Sequence, residues 1–116
     1  MHELSLCQAI VDTVLQHAEG RSLQRVNVRI GYFRQVVPDS LQFSWEVVTH
    51  GTDLAECELI VDHVPAVILC RACGEHTKLQ RPLMLCGSCE GADVEVVSGE
   101  EFQIASIDIF EEAPSA

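Results

Sequence analysis

Two Cys-x-x-Cys pairs, Cys70–Cys73 and Cys86–Cys89, flank a twelve-residue loop and constrain this chain more than any other feature. A two-residue spacer lets both sulfur atoms of a pair turn toward one centre, so the two pairs can supply four thiolates in a tetrahedron. A closed set of four sulfur ligands suits Zn²⁺, which has no geometric preference of its own and accepts soft donors. We therefore predict a structural Zn(II) site in a hairpin, bound by all four cysteines.

Other uses of these cysteines fit the sequence less well. Disulfides belong to oxidising compartments, and nothing else in the chain indicates one. Thioredoxin-like redox chemistry needs a Cys-x-x-Cys at the start of a helix, a context that Pro82 and the nearby glycines do not match. A rubredoxin-like iron centre uses the same ligands, so the spacing defines the site better than it defines the metal. Gly74 supplies the positive φ that a knuckle needs, whereas Glu90 stands where a glycine would be easiest.

The charge balance limits the possible partners. The 116 residues include 18 acidic and 7 basic side chains, a formal net charge of −11. Because binding to nucleic acid needs a basic surface, we predict no nucleic-acid partner. We find no membrane-spanning run and no signal-peptide pattern, and we therefore expect no membrane association and a cytoplasmic location. The chain also lacks a readable catalytic triad, phosphate loop or carboxylate pair, so we expect no enzymatic activity.

Apolar periodicity predicts an α+β fold of two helices on a small three-stranded sheet, with the four-cysteine zinc-binding hairpin module inserted before the last strand. The expected elements are a helix over residues 5–19, a strand over 24–33, a helix from Asp39 to Gly51, and strands over 57–64 and 102–110. Ser5 and Asp39 are the predicted N-caps, which would leave residues 1–4 ahead of the first helix.

The buried faces follow from the same periodicity. Apolar residues recur at three- and four-residue steps in the helices and at alternate positions in the first strand. The predicted buried positions are Cys7, Ile10 or Val11, Val14, Leu15 and Ala18 in the first helix, Val26, Val28, Ile30 and Tyr32 in the first strand, and Leu41, Trp45 and Val48 in the second helix. Cys57, like Cys7, is expected to pack as a small apolar side chain.

The first three residues, Met1-His2-Glu3, carry the donor atoms of a second metal site. A free α-amine, the amide nitrogen of residue 2 and the imidazole Nδ1 of His2 can close fused chelate rings around Ni²⁺ or Cu²⁺, which accept planar nitrogen ligands. The fourth donor would be Glu3, through its amide nitrogen or its carboxylate, or His76 from the zinc loop. Since chain termini commonly bind nothing, the competing hypothesis is an inert terminus on a zinc-stapled adaptor for other proteins.

Several segments along nearly the whole chain resemble a single family. They are M-H-E-L-S-L-C-Q-A-I, R-V-N-V-R-I-G, V-V-P-D-S-L-Q-F-S-W-E-V-V-T-H-G-T, E-L-I-V-D-H-V-P-A, the two cysteine pairs and F-Q-I-A-S-I-D. Together they resemble the hydrogenase maturation nickel metallochaperones, the HypA/HybF family. The resemblance implies that His2 and the amine of Met1 bind Ni(II) with support from Glu3. It also implies that the cysteines hold Zn(II), and that Ni(II) passes to the large subunit of a [NiFe] hydrogenase with the help of a nickel-handling GTPase.

On this basis residues 1–66 with 99–116 are predicted to form a nickel-binding α+β domain, and residues 67–98 a zinc-binding domain. The sequence departs from the family at three positions: Gly87 stands where a proline commonly follows the third cysteine, Glu90 where a glycine follows the fourth, and Glu100 where a basic residue precedes the last strand. None of these departures removes a metal ligand, but they change the surface that partners would contact.

Overall fold

The computed structural model describes residues 3–110. Its elements, in chain order, are helix α1 (Glu3–Ala18), strand β1 (Leu23–Gly31), a 3-10 turn (Tyr32–Arg34), helix α2 (Pro38–Thr49) and strands β2 (Glu58–Val64), β3 (Val67–Cys70), β4 (His76–Lys78), β5 (Val94–Ser98) and β6 (Phe102–Ile109). The predicted α+β class is confirmed. Within the described part of the chain, no helix is long and apolar enough to cross a bilayer.

The strands form two small sheets of three strands each, with orders β2-β1-β6 and β4-β3-β5. The first contains the three strands that periodicity predicts. The second contains the antiparallel pairing of β3 with β4 and with β5. Strand β4 was not predicted, because three residues are too short to show alternation and they are held only by pairing with β3.

By their internal contacts the residues form two compact units. Unit 1 comprises Met1–Val28, Val36–Asp62 and Ile104–Ala116, and unit 2 comprises Arg29–Gln35 and His63–Gln103. The assignment of nickel binding to residues 1–66 with 99–116, and of zinc binding to residues 67–98, stays a prediction.

Helix α1 begins earlier than predicted. It starts at Glu3, so Ser5 is not its N-cap and the expectation that Glu3 and Leu4 precede the helix is wrong. An acidic residue in the first turn is favoured by the helix dipole, and the Glu3 carboxylate also accepts a hydrogen bond from the backbone N–H of Val37 at 3.3 Å. Leu15 is half exposed rather than buried, because it lies roughly a quarter turn from the centre of the buried stripe.

Helix α2 is anchored by the buried Trp45. Leu41 and Trp45 are buried as predicted, and the Trp45 indole N–H donates to the carbonyl of Cys57 at 2.8 Å. The helix starts at Pro38 instead of Asp39, because proline is already fixed near helical φ and the first helical position needs no donor. Thr49 completes the buried face in place of Val48, with its hydroxyl donating to the Trp45 carbonyl.

The two cysteines outside the pairs lie in the core, as predicted. Cys7 and Cys57 are both buried, and burial together with the nearby Glu3 charge raises the pKa of Cys7 to about 11. Burial also raises the pKa of Cys57, with a smaller contribution from Glu58. Both side chains are therefore protonated thiols near neutral pH, and they pack as small apolar groups.

Strand β1 ends at Gly31, one residue before the predicted buried Tyr32, because the backbone around Gly99 approaches closely at that point. The Gly31 N–H donates to the Glu101 carbonyl at 2.7 Å, and the Phe33 N–H donates to the Gly99 carbonyl at 2.8 Å. A Cβ on Gly31 would overlap the carbonyl group of Gly99. The chain therefore turns into the 3-10 segment instead of continuing the strand.

This contact leads to a stability prediction. Gly31→Ala should lower the free energy of unfolding by about 3 kcal/mol, because the added methyl group must displace backbone rather than a flexible side chain. Gly20→Ala is the matched control: φ there is +79° but a Cβ would meet nothing within 4 Å, so only about 1 kcal/mol should be lost. Chemical denaturation of zinc-saturated protein measures both values, and equal losses would contradict the steric explanation.

Candidate metal centre

The first cysteine pair forms a compact turn closed by its own backbone. The carbonyl of Cys70 accepts a hydrogen bond from the N–H of Gly74 at 2.9 Å, and the N–H of Cys70 donates to the carbonyl of Glu75 at 2.9 Å. Gly74 has a φ of +79°, the left-handed conformation that glycine adopts without steric cost. Strand β3 therefore ends in a knuckle that can turn Cys70 and Cys73 toward one point.

The second pair repeats this pattern at the same offsets. The carbonyl of Cys86 accepts from the N–H of Glu90 at 3.0 Å, and its N–H donates to the carbonyl of Gly91 at 2.9 Å. Glu90, which corresponds to Gly74, has a φ of +62°. The second knuckle thus places a side chain in the left-handed region where the first has a glycine.

The hairpin brings the four sulfur atoms together. All four Sγ atoms lie within 4.8 Å of one another, with 3.6 Å between Cys70 and Cys89 and 3.6 Å between Cys73 and Cys86. Four sulfur atoms bound at about 2.3 Å to a tetrahedral Zn²⁺ would be about 3.8 Å apart. A disulfide would require about 2.0 Å. The sulfur set therefore fits a tetrahedral zinc ion, and the two close pairs are not disulfides.

Backbone amides favour ionisation of one cysteine in each knuckle. The N–H groups of Cys89 and Ser88 point at the sulfur of Cys86, at 3.5 and 3.4 Å, and lower its pKa to about 6. The N–H groups of Cys73 and Ala72 act in the same way on Cys70 and lower its pKa. The sulfur of Cys86 is therefore a thiolate close to neutral pH, and the sulfur of Cys70 ionises more readily than that of an ordinary cysteine.

The other cysteine of each knuckle has the opposite tendency. The Glu75 amide lowers the pKa of Cys73, but the neighbouring thiol of Cys86 and burial outweigh it and raise the pKa to about 12. The pKa of Cys89 is raised as well, since the effect of its sulfur neighbours exceeds that of the Gly91 amide. Four thiolates at this separation repel one another, and a divalent cation is the group that would stabilise them all.

Two further contacts connect the knuckles to the second sheet. The N–H of Gly87 donates to the hydroxyl of Thr77 on β4 at 2.9 Å. Arg71 bonds Asp93 at 2.9 Å and lies 3.6 Å from Glu95 on β5, but these side chains are largely exposed and stabilise the structure only weakly. The Thr77 contact had no signal in the sequence, because it depends on pairing of the unpredicted strand β4.

The predicted nickel ligands are only partly within the described residues. Met1 and His2 lie outside them. Glu3 is the first residue of α1, where its carboxylate contacts the Val37 amide, and His76 is exposed on β4 opposite Leu69. Over residues 3–110, the four cysteines are the one group of three or more His, Cys, Asp or Glu that could hold a metal ion.

Loss of a single sulfur ligand should weaken zinc binding. Cys89→Ser is expected to lower Zn²⁺ affinity at least about a hundredfold, because changes in the second coordination sphere alone cost roughly 10–100-fold. Competition with a zinc chelator measures the affinity, and the rate of proteolysis of unit 2 reports the loss of the ion. Cys57→Ala is the control outside the site, and an unchanged zinc affinity in Cys89→Ser would exclude the four-sulfur site.

The strained knuckle leads to a second prediction. Glu90→Gly should raise the free energy of unfolding of the zinc-bound protein by about 1 kcal/mol, since a left-handed conformation costs a side chain about 1–2 kcal/mol. Gly74→Ala should cost about the same amount, as nothing lies within 4 Å of the added Cβ. Thermal unfolding measures both, and Glu90→Gln separates charge from conformation. A gain in Glu90→Gln equal to that in Glu90→Gly would refute the conformational account.

Comparison with known proteins identifies the same family over nearly the whole chain. A family model described as "Hydrogenase/urease nickel incorporation, metallochaperone, hypA" matches residues 1–109. The curated relatives include proteins named hydrogenase maturation factor HypA. That of Nostoc sp. (strain PCC 7120) is 34% identical over 96% of this chain and 97% of that protein. That of Desulfosudis oleivorans is 35% identical over 96% of this chain and all of that protein.

Solved structures show the same fold. The solution structure of the Ni metallochaperone HypA from Helicobacter pylori aligns with 97% of this chain, and the alignment includes 100% of the Helicobacter chain. The TM-score is 0.65 and the sequence identity is 20%. A second solution structure of a HypA protein superposes with a TM-score of 0.67, also at 20% identity. With the family match over residues 1–109 and the four converging sulfur atoms, these findings establish that the chain belongs to the HypA family of hydrogenase/urease nickel-incorporation metallochaperones.

Proposed function

We propose that this chain binds Ni²⁺ at its N-terminus and delivers it for the maturation of [NiFe] hydrogenase. The observation that carries the proposal is the family match over residues 1–109, whose description is nickel incorporation. The proposed nickel ligands are the amine of Met1, the amide and imidazole nitrogens of His2, and Glu3. The four cysteines would hold Zn²⁺ permanently as part of the folded protein.

The position of helix α1 supports a role for the Glu3 amide. The first four N–H groups of an α-helix have no acceptor within the helix, and Glu3 is the first residue of α1. A metal ion that displaced the proton from this nitrogen would therefore break no helical hydrogen bond. The Glu3 carboxylate already accepts a hydrogen bond from Val37 at 3.3 Å, which favours the amide over the carboxylate as fourth donor. His76 remains the alternative donor.

The two sites differ in the rate at which they would exchange their metal. Four thiolates close a tetrahedron around zinc and leave no open position for exchange. A planar nitrogen chelate at a chain end is open on both faces, and protons compete for its amine, amide and imidazole nitrogens. Nickel affinity should therefore fall as the pH falls below neutral. Such a site suits an ion that has to be released.

The proposed partners are a nickel-handling GTPase and the large subunit of a [NiFe] hydrogenase, and the proposed location is the cytoplasm. The net charge of −11 would raise the local concentration of cations around the carrier. Any step driven by nucleotide hydrolysis is assigned to the GTPase, because this sequence contains no glycine-rich phosphate loop. The carrier itself supplies ligands and a surface for docking.

His2→Ala should abolish tight nickel binding while zinc content and helicity stay unchanged, because the imidazole closes one chelate ring. The measurement is a Ni²⁺ titration of untagged, zinc-loaded protein, followed by calorimetry and by the absorption of planar nickel. His17→Ala, near the end of α1, is the matched control and should bind nickel normally. One residue added before Met1 should have the same effect as His2→Ala, and equal nickel affinity in all four proteins would favour the inert adaptor.

A further inference from the structure

Helices α1 and α2 enclose an open groove near their N-terminal ends. The groove has a volume of about 480 Å³, and the residues that line it are Glu3, Leu4, Asp39, Ser40, Phe43 and Ser44. All six belong to unit 1, so the groove is a feature of a single compact unit. It begins at the third residue of the chain.

The groove exposes apolar side chains that the fold does not need on its surface. Phe43 is 66% exposed, Leu4 is 50% exposed, and Val47, one turn beyond Phe43 on α2, is 49% exposed. The opposite face of α2 is already buried through Leu41 and Trp45. Helix α2 therefore has a second apolar stripe that faces outward, a feature typical of a surface that another molecule covers.

Charge decides which molecule can cover it. Both ionisable side chains that line the groove, Glu3 and Asp39, are acidic, and the chain carries a net charge of −11. A second copy of this chain would bring the same charge to the groove and be repelled, and a nucleic acid would be repelled more strongly. A protein segment with an apolar residue between lysines or arginines complements the groove both in its apolar surface and in its charge.

We propose that the groove of Leu4, Asp39 and Phe43 is the docking site for a basic, amphipathic segment of a partner protein. The apolar residue of that segment packs on Phe43 and Leu4, and its cations lie beside Asp39 and Glu3. A groove of this size holds one or two side chains, so the complex is weak and transient, as small interfaces generally are. A carrier that must let its partner leave again needs such a complex.

The groove would also place the partner beside the proposed cargo, a part of the inference that rests on the proposed function. Its lining starts at Glu3, which is the last of the proposed nickel ligands. A segment seated against Leu4 therefore lies within a few residues of the ion. Docking itself needs no nickel, so the two proposals can be tested separately.

The probe is a fluorescein-labelled synthetic peptide of about 12 residues, helical in pattern, with leucine and phenylalanine one turn apart among lysines. It is titrated against zinc-loaded, nickel-free, full-length protein, and anisotropy gives the Kd. In one control peptide the lysines are replaced by glutamate, and in the other the two apolar residues are replaced by serine. Neither control peptide should bind. Binding by the glutamate peptide equal to that by the lysine peptide overturns the proposal.

The protein variants localise the binding. Phe43→Ser should weaken it at least about tenfold, as expected for an aromatic anchor at the centre of an interface. Asp39→Asn should weaken it about threefold and reduce its dependence on salt. Phe43→Leu should retain most of the affinity. Leu15→Ser is the matched control, since Leu15 is a half-exposed residue of α1 that does not line the groove, and it should have no effect.

Two results would overturn the proposal even if the peptide binds. The first is an equal loss of peptide affinity in Leu15→Ser and in Phe43→Ser. The second is that the wild-type protein sediments as a dimer and that Phe43→Ser converts it to a monomer. Nickel titration of the same proteins separates the hypotheses. Phe43→Ser should bind nickel normally, and His2→Ala should bind the peptide normally. Peptide binding without nickel binding in the wild type would leave the docking site standing and refute the carrier.

Discussion

Four sulfur atoms lie within 4.8 Å of one another, so that their negative charges repel one another once they are ionised. Backbone amides favour ionisation of all four sulfur atoms, and this effect prevails at Cys70 and Cys86. At Cys73 and Cys89 the neighbouring sulfur atoms and burial outweigh it and raise the pKa. A zinc ion would supply positive charge and bind all four at once. Unit 2 has only a small apolar cluster of Ala66, Ile68 and Leu79, covered by four partly buried side chains, Tyr32, Phe33, Val94 and Val96. A bound metal ion would add the stability that so small a core lacks.

Unit 1 has a different source of stability. Its helices pack through a mainly aliphatic core, and side-chain hydrogen bonds to the backbone connect the elements, such as the bond from Trp45 to Cys57 at 2.8 Å. This stability involves neither the four cysteines nor the ion they would hold. The N-terminal end of α1 is thereby presented on a scaffold that would not need a nickel ion for its folding. Under the proposed function, nickel can then be taken up and released without unfolding the carrier.

Exposed apolar residues on α2 give the same end of unit 1 a second role. Phe43 is 66% exposed on a helix whose other face is already buried, and acidic side chains flank it. The proposed chelate and the proposed docking groove meet at Glu3, whose carboxylate contacts the Val37 amide. One residue therefore connects the start of α1, the start of α2 and the position where the metal would be bound.

Periodicity and spacing predicted the local features correctly. The cysteine spacing indicated two knuckles, and the observed knuckles are closed by hydrogen bonds between residues four or five positions apart. The alternation of Val26, Val28 and Ile30 predicted the buried face of β1, and the helical spacing of Leu41 and Trp45 predicted that of α2. The errors concern the start of α1, the end of β1, the unpredicted strand β4, and the predicted burial of Leu15 and Val48.

The sequence by itself determined the features whose interactions are close in the chain: the knuckles, the amphipathic helices and the half-buried first strand. Tertiary structure decided where those elements begin and end. Glu3 belongs to α1, and its carboxylate accepts a hydrogen bond from the backbone N–H of Val37, 34 positions away. Strand β1 ends at Gly31 because the backbone of Gly99 lies against it. A contact between residues so far apart in sequence produces no apolar periodicity around either residue. These contacts could therefore be identified only in the folded chain.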